Sequence, residues 1–198
     1  MGCKLHEELP VIKGLLAGVD EAGRGPLAGN VVASAVILGE QHGILGLADS
    51  KQLSAGQREK LELKIKEKAQ AWSVVSVSAS EIDEINILQA TMLAMKQAVE
   101  QLLVLPDHVF IDGNRCPVIP YPATSIIKGD SRVAEISAAS ILAKVERDRQ
   151  MQELHDEYPC YGFDKHNGYP AKLHVQALQE HGPCPQHRRS YKPVKNCL

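Results

Sequence analysis

The feature that most constrains this chain is a glycine-rich turn between two runs of strand-forming residues. Residues 18–29 read G-V-D-E-A-G-R-G-P-L-A-G. Branched apolar residues before and after the turn predict one strand over Leu15–Val19 and another over Val31–Leu38. Asp20 and Glu21 follow the first predicted strand directly. Two adjacent carboxylates at a strand end supply the hard oxygen ligands that Mg²⁺ or Mn²⁺ prefers, so we expect a divalent metal site there.

The glycines of the turn indicate a second kind of site beside the acids. Gly23 and Gly25 allow backbone conformations that side chains forbid, and their amides could hold an anion together with Arg24. A cation site next to an anion site is typical of phosphate-ester chemistry. The same stretch matches the dinucleotide fingerprint G-x-G-x-x-A, which should open a helix. A strand pattern follows instead, and two carboxylates would face the pyrophosphate, so we disfavour a dinucleotide site.

Length and charge limit the architecture and the partners. The chain has 198 residues, of which 44% are hydrophobic, which predicts one domain with a proper core. A net charge of −2 argues against a basic nucleic-acid coat protein. The segment after Glu180 is nevertheless basic and lacks acids, and it either contacts phosphates or forms a solvated terminus. Its bases are Arg188, Arg189, Lys192 and Lys195.

Cysteine usage and hydropathy indicate a cytoplasmic protein. No stretch approaches the roughly 18 apolar residues of a membrane span, and no signal peptide is evident. Five cysteines without regular spacing fit free thiols in a reducing compartment. His181, Cys184 and His187 cluster in sequence, but without paired C-x-x-C spacing we disfavour zinc. We expect a monomer.

The remaining patterns alternate between helix and strand, which predicts an α/β fold with a mixed sheet flanked by helices. Ser54 and Gln57 form a capping box, and Asn86 with Gln89 marks the start of a second helix. We expect further strands at Trp72–Val77, His108–Ile111 and Ala123–Ile127. We expect helices from Ser54 to about Ala71, from Asn86 to before Pro106, from about Arg132 to Glu157 and over Lys172–His181, with an aromatic loop at 160–171.

Acidic residues follow three of the predicted strands. They are Asp20 with Glu21, then Asp112, then Asp130. One such Asp is usually a turn residue, but three strand ends can converge across a sheet, and clustered carboxylates then need a cation. Adjacent strand residues point to opposite faces, so Asp20 and Glu21 need a bend to share a site, which Gly18 and Gly23 permit.

Six motifs occur in order over nearly the whole chain. They are D-E-A-G-R-G-P-L-A-G at 20–29, D-S-K-x-L at 49–53, I-D-G-N at 111–114, K-G-D-S at 128–131, I-S-A-A-S-I-L-A-K-V at 136–145 and Y-G-F-x-x-H-x-G-Y-P at 161–170. With these motifs in this order, the sequence resembles bacterial ribonuclease HII.

The resemblance implies a ribonuclease H-like fold, with a catalytic core over 1–158 and a small C-terminal helical appendage over 159–198 that helps to bind substrate. It implies a Mn²⁺- or Mg²⁺-dependent endonuclease that cleaves the RNA strand of RNA–DNA hybrids. It also implies incision at single ribonucleotides embedded in duplex DNA, leaving 5′-phosphate and 3′-hydroxyl ends. The implied catalytic metal ligands are Asp20, Glu21, Asp112 and Asp130.

The resemblance also implies how substrate is recognised. Gly23, Arg24 and Gly25 would sense the 2′-hydroxyl, and Tyr169 would read the junction between ribose and deoxyribose. Asn167 and Ala171 depart from the Lys and Thr that many members carry beside this tyrosine. The matching motifs and the basic tail add four expected substrate contacts, Ser50, Lys51, Lys128 and Arg188.

Two other functions stay open on the residues alone. One is another metal-dependent phosphoesterase on this fold, such as a 3′-exonuclease or a resolvase. The other is a non-catalytic hybrid-binding module. The four acids argue against a pure binder, because clustered negative charge would repel phosphates.

Overall fold

The structure, a computed structural model, describes residues 4–5, 9, 12–47, 50 and 53–198. Within them, six strands form one sheet in the order β1-β6-β5-β2-β3-β4. Strands β1, β6, β5 and β2 run parallel to one another, whereas β3 pairs antiparallel with both β2 and β4. The mixed sheet expected from the sequence is therefore confirmed. The strands are β1 Lys4–Leu5, β2 Leu16–Ala22, β3 Val31–Ile37, β4 Ala71–Val77, β5 His108–Asp112 and β6 Ala123–Ile126.

Strand β2 is longer than the sequence predicts. Asp20 and Glu21 lie within it, paired with Ser34 and Ala33 of β3, because the partner strand continues the hydrogen-bond ladder past Val19. The expected bend at Gly18 is wrong. This glycine is paired on both sides, and a Cβ there would lie 2.2 Å from the main chain of α3 (Ala134–Glu157). Its missing side chain therefore allows α3 to approach the sheet.

The helices follow their capping signals. Helix α1 (Ala55–Lys68) starts with the predicted Ser54 capping box. Helix α2 (Ala79–Glu100) starts earlier than expected, at a capping box on Ser78, and Asn86 forms a kink with φ 67°. The Asn86 side chain accepts hydrogen bonds from amides of the next turn, so the predicted cap is confirmed. It lies at a kink inside the helix and not at its start. The others are α3, α4 (Phe163–His166), α5 (Lys172–His181) and α6 (Lys192–Lys195), and α5 has the predicted bounds.

Two cores hold the helices on the sheet. Helix α2 packs on one face through buried residues such as Ala94, Met95 and Val99. Helices α1 and α3 pack on the other face, where Ala138 and Ala139 are fully buried. The Ala-rich first half of α3 thus packs closely on the sheet, as its composition predicts.

A third core joins the C-terminal segment to the glycine turn. Leu27 and Ala28 of the turn pack with Met151, Phe163 and Val194. Ala28 also forms a β-bridge with His187. The appendage is therefore attached to the turn itself, while the domain boundary at residue 158 stays a prediction.

The cysteines are not all free. Cys116 is disulfide-bonded, so the expectation of five free thiols is wrong for this residue, whereas Cys160, Cys184 and Cys197 are free. Within the described ranges, no helix has the length and apolar content needed to cross a membrane. The cytoplasmic location and the monomeric state stay predictions.

Candidate active site

Three parallel strands bring the acidic residues to one edge of the sheet. Asp20 lies near the end of β2, and Asp112 ends the neighbouring β5, whose Ile111 pairs with Val19. Asp130 is buried in the 3-10 turn that follows β6, and the amide of Gly129 in that turn donates to Asp112 Oδ1 at 2.7 Å. The fold therefore brings these acids into one region, as expected from the strand ends.

The electrostatics show that three of the carboxylates interact. Burial raises the pKa of Asp20 well above its usual value, and the charges of Glu21 and Asp112 raise it further. Hydrogen bonds from Ser140 and from the Glu21 amide, at 2.7 Å, oppose this shift. Burial and Asp112 also raise the pKa of Glu21, against the attraction of Arg24 at 3.3 Å. Ionising these carboxylates together is costly unless a cation joins them.

The donor chemistry fits Mg²⁺ or Mn²⁺. The site offers carboxylate oxygens, which both ions accept as hard ligands, and their mutual repulsion favours a divalent cation. Among the described residues, no group of three or more acidic, histidine or cysteine side chains is already arranged to hold a metal ion.

A cavity of about 290 Å³ adjoins Asp20 and Glu21 and is lined by the glycine turn, Tyr169 and α3. The α3 residues are Ser140, Lys144 and Arg147, which sequence reasoning missed. Their spacing of four and three residues could have predicted a shared site, because it places these polar groups on one side of a helix that is otherwise Ala-rich. A second cavity of about 370 Å³ shares Glu21 and Arg24 and contains Asp112.

Arg147 is a buried cavity residue whose guanidinium makes only part of its possible hydrogen bonds. Its side chain is 2% exposed, and Nη2 donates to the Ala28 carbonyl at 2.8 Å. Nε and Nη1 have no hydrogen-bond partner among the described residues. Burial and the nearby charge of Arg188 lower the pKa of Arg147 to about 9. Two unpaired donors on a buried cation favour an anionic ligand in this cavity.

The glycine turn and Tyr169 form opposite sides of the same cavity. A Cβ on Gly25 would lie 3.2 Å from Tyr169 Cε1, so only a glycine leaves normal space for the ring. The amide of Leu27 donates to the Gly168 carbonyl at 2.7 Å, which joins the two segments through the backbone. Tyr169 itself is 48% exposed, and its ring is free to meet a ligand.

The structure corrects the role expected for Arg188. This residue is fully buried, and its guanidinium donates to backbone carbonyls of the glycine turn, so it is not available to a phosphate. The reason is the bridge between Ala28 and His187, which draws the C-terminal segment under the turn. The other three bases of the tail are exposed, and their contact with phosphates stays a prediction.

The other expected contacts are placed differently. Ser50 is buried in the first cavity, and its hydroxyl lies 2.8 Å from that of Ser140. Lys51 lies outside the described residues. Lys128 is exposed on the turn that carries Asp130 and lines neither cavity. Of the two departures from the family pattern, Asn167 lines the cavity, and Ala171 begins α5 without a side-chain cap.

The structure also shows the surroundings of the two disfavoured sites. The glycine turn leads into strand β3, so it lacks the helix that a dinucleotide site needs. His187 and Cys184 contact each other at 3.1 Å, but with His181 they form no metal-ligating group in the part of the chain that the structure describes.

A mixed sheet with acids at the ends of its central strands, next to a basic cavity, places the chain in the class of ribonuclease H-like nucleases. The family model described as Ribonuclease HII matches residues 17–194. Ribonuclease HII of Vibrio parahaemolyticus is 58% identical over 184 residues, which are 93% of this chain and 87% of that protein. The chain belongs to the ribonuclease HII family.

Solved structures agree with this assignment. Ribonuclease H2 from Pyrococcus horikoshii OT3 is 30% identical with a TM-score of 0.78, over 92% of this chain and 96% of that chain. Bst-RNase HIII in complex with Mn²⁺ is 18% identical with a TM-score of 0.75, over 93% of this chain and 69% of that chain. The second likeness shows the shared fold.

Proposed function

We propose that this protein cleaves phosphodiester bonds with one or two Mn²⁺ or Mg²⁺ ions held by Asp20, Glu21, Asp112 and Asp130. As a member of its family, the protein cleaves RNA in RNA–DNA hybrids and at ribonucleotides embedded in DNA. The observation that carries the proposal is the group of acids at one sheet edge, beside the cavity that Gly25 and Tyr169 line.

The acids have a defined task in this mechanism. A divalent ion bound there would activate the attacking water and stabilise charge on the leaving 3′-oxygen. Asp20 is held by Ser140 and by the Glu21 amide, and Asp112 by the Gly129 amide, so these carboxylates are oriented before any ligand binds. The charge of Asp112 contributes to the raised pKa values of Asp20 and Glu21, and a divalent cation would offset this repulsion between carboxylates.

The glycine turn supports recognition of the ribose. The 2′-hydroxyl is the group that separates ribose from deoxyribose at a given site. Backbone groups of Gly23–Gly25 approach the cavity without intervening side chains, so a sugar can come close to them. The exposed ring of Tyr169 can pack on the next deoxyribose, where a second 2′-hydroxyl would be crowded.

The basic residues of the cavity support binding of the phosphate backbone. Lys144 is paired with Asp148 at 2.5 Å, whereas Arg147 keeps two donors without partners. Arg24 is half exposed next to Glu21. We assign Arg24 to phosphates, because its guanidinium is half exposed at the cavity and phosphate oxygens match its geometry. Arg147 is too buried for a direct contact and adds positive charge beside the cavity.

A labelled duplex tests the proposal. A DNA duplex with one internal ribonucleotide, labelled at both ends and incubated with Mn²⁺ or Mg²⁺, should give one 3′-hydroxyl and one 5′-phosphate product. An all-DNA duplex of the same sequence is the matched control and should stay intact. Progressive shortening from one end would favour an exonuclease, and binding without cleavage would favour the hybrid-binding module.

A further inference from the structure

Arg188 is fully buried and makes six hydrogen bonds to one short stretch of backbone. Nη1 and Nη2 donate to the carbonyls of Arg24 and Gly23 at 2.9 and 2.5 Å. The guanidinium also donates to the carbonyls of Pro26 at 2.8 Å, of Gly29 at 3.0 and 2.8 Å, and of Asn30 at 3.2 Å. Five carbonyls of residues 23–30 therefore share one cation, whose pKa burial lowers.

The direction of these carbonyls determines the direction of the neighbouring amides. In a trans peptide, the N–H of the following residue points opposite to the carbonyl. The Gly23 and Arg24 carbonyls face Arg188, so the amides of Arg24 and Gly25 face away from it. The hydrogen bonds of the described backbone use neither of these two amides. Both residues line the cavity, so these amides are available to a ligand there.

His187, the residue before Arg188, is linked through hydrogen bonds to Tyr169 on the other side of the cavity. Cys184 donates its amide to His187 Nδ1 at 3.0 Å, so His187 carries its proton on Nε2. That proton is donated to His174 Nε2 at 2.9 Å, and His174 Nδ1 donates to the Tyr169 carbonyl at 2.9 Å. The segment 184–191 thus holds the backbone of both the glycine turn and Tyr169.

We propose that Arg188 is a positioning residue that directs the amides of Arg24 and Gly25 toward the ribonucleotide. The inference rests on the proposed function. Arg188 acts from beneath the turn without contact with substrate, and its role is to fix the peptide planes that recognise the sugar. A lysine cannot replace it, because one ammonium lacks the planar fork that reaches several carbonyls at once.

The test compares Arg188→Lys and Arg188→Met with the control Arg189→Met. Arg189 is the next residue in the chain and is exposed, so its substitution by methionine removes the same charge from the surface. Three quantities are measured: Tm, hydrogen exchange of the Leu27 and Gly29 amides, and kcat and KM on the single-ribonucleotide duplex. Both amides are bonded across the turn, to Gly168 and Gln186, so they report its geometry. Both Arg188 variants should exchange faster there and lose about ten- to a hundredfold in kcat, because a misplacement of about 1 Å is enough for such a loss.

A purely structural role predicts a different result. The Arg188 variants would then have a lower Tm but, well below it, the parental kcat, and that outcome would overturn the proposal. A loss of kcat with unchanged amide exchange would overturn it as well. Arg189→Met should keep the parental exchange and kcat, with any effect confined to KM and to its salt dependence.

A milder variant decides the question if neither Arg188 variant folds. The Tyr191 hydroxyl donates to the Arg24 carbonyl at 2.8 Å and accepts from Arg188 Nη1 at 3.1 Å. Tyr191→Phe should change exchange and kcat in the same direction by a smaller factor, and parental values for both would refute the positioning role. If the parent leaves the single-ribonucleotide duplex uncleaved, the proposed function fails instead, and the exchange data still report whether Arg188 orders the turn.

Discussion

Gly25→Ala tests whether the glycine turn and Tyr169 read the junction together. The added methyl group would lie 3.2 Å from Tyr169 Cε1 and 3.8 Å from Cδ1. Gly25 does not have a left-handed backbone conformation, so alanine fits the backbone without strain. Tyr169 is 48% exposed and can move outward by a few tenths of an ångström. The substitution therefore displaces the ring while the fold stays intact.

The expected size follows from the contact that is lost. An aromatic ring stacked on a nucleotide contributes about 1–3 kcal/mol. In the transition state this corresponds to about ten- to a hundredfold in rate. Tyr169→Ala should lose that whole amount in kcat/KM on a single-ribonucleotide duplex. Gly25→Ala should lose part of it, about tenfold, because the ring is moved but still present.

A double-mutant cycle with Gly25→Ala and Tyr169→Ala separates the two effects. In the Tyr169→Ala background the methyl group meets no ring, so its remaining effect should be smaller than in the parent. Gly56→Ala adds the same methyl group to α1 with nothing within 4 Å, and it should keep parental kcat/KM. Equal losses for Gly25→Ala in both backgrounds would refute the joint reading of the junction.

Three further changes have definite expected outcomes. Asp20→Asn should raise the Tm of the metal-free protein at pH 7. The folded-state pKa of Asp20 lies above the unfolded value of 3.8, so ionisation of Asp20 lowers the stability of the parent as the pH rises between these two values. Asparagine does not ionise, so the Tm difference between variant and parent should vanish near pH 3.8. Gly18→Ala should lower Tm by roughly 6–12 °C, since a Cβ 2.2 Å from the main chain of α3 cannot be accommodated without a backbone shift costing about 3 kcal/mol. Tyr169→Phe should keep kcat/KM on the single-ribonucleotide duplex, and a loss would assign a role to the hydroxyl.

Local signals explain why much of the fold was predictable. The Ser54 capping box and the Gly182 stop after α5 depend on residues close in sequence, and both helices start and end near their predicted positions. The acids at the strand ends were equally visible. The end of β2 was misplaced because its last residues pair with β3, and such pairing is decided by the partner strand.

The roles that the sequence did not reveal depend on contacts between distant segments. Arg188 lies in a basic tail, where an arginine normally faces water, and its burial follows from hydrogen bonds to residues more than 150 positions earlier. The kink at Asn86 looked like a helix start because the same side-chain cap serves both. Lys144 and Arg147 were visible as a polar stripe, but only the packing of α3 shows that the stripe faces the cavity.

Cleavage of a single-ribonucleotide duplex, measured with duplex binding for the parent, Asp20→Asn and Asp112→Asn, tests the central claim most directly. The parent should cleave with Mn²⁺ or Mg²⁺ and stop in excess chelator. Each variant removes a proposed metal ligand, not a phosphate contact, so both should bind the duplex like the parent and leave it uncleaved. Full activity of either variant, or cleavage by the parent in excess chelator, would contradict the assignment of these carboxylates to a catalytic metal.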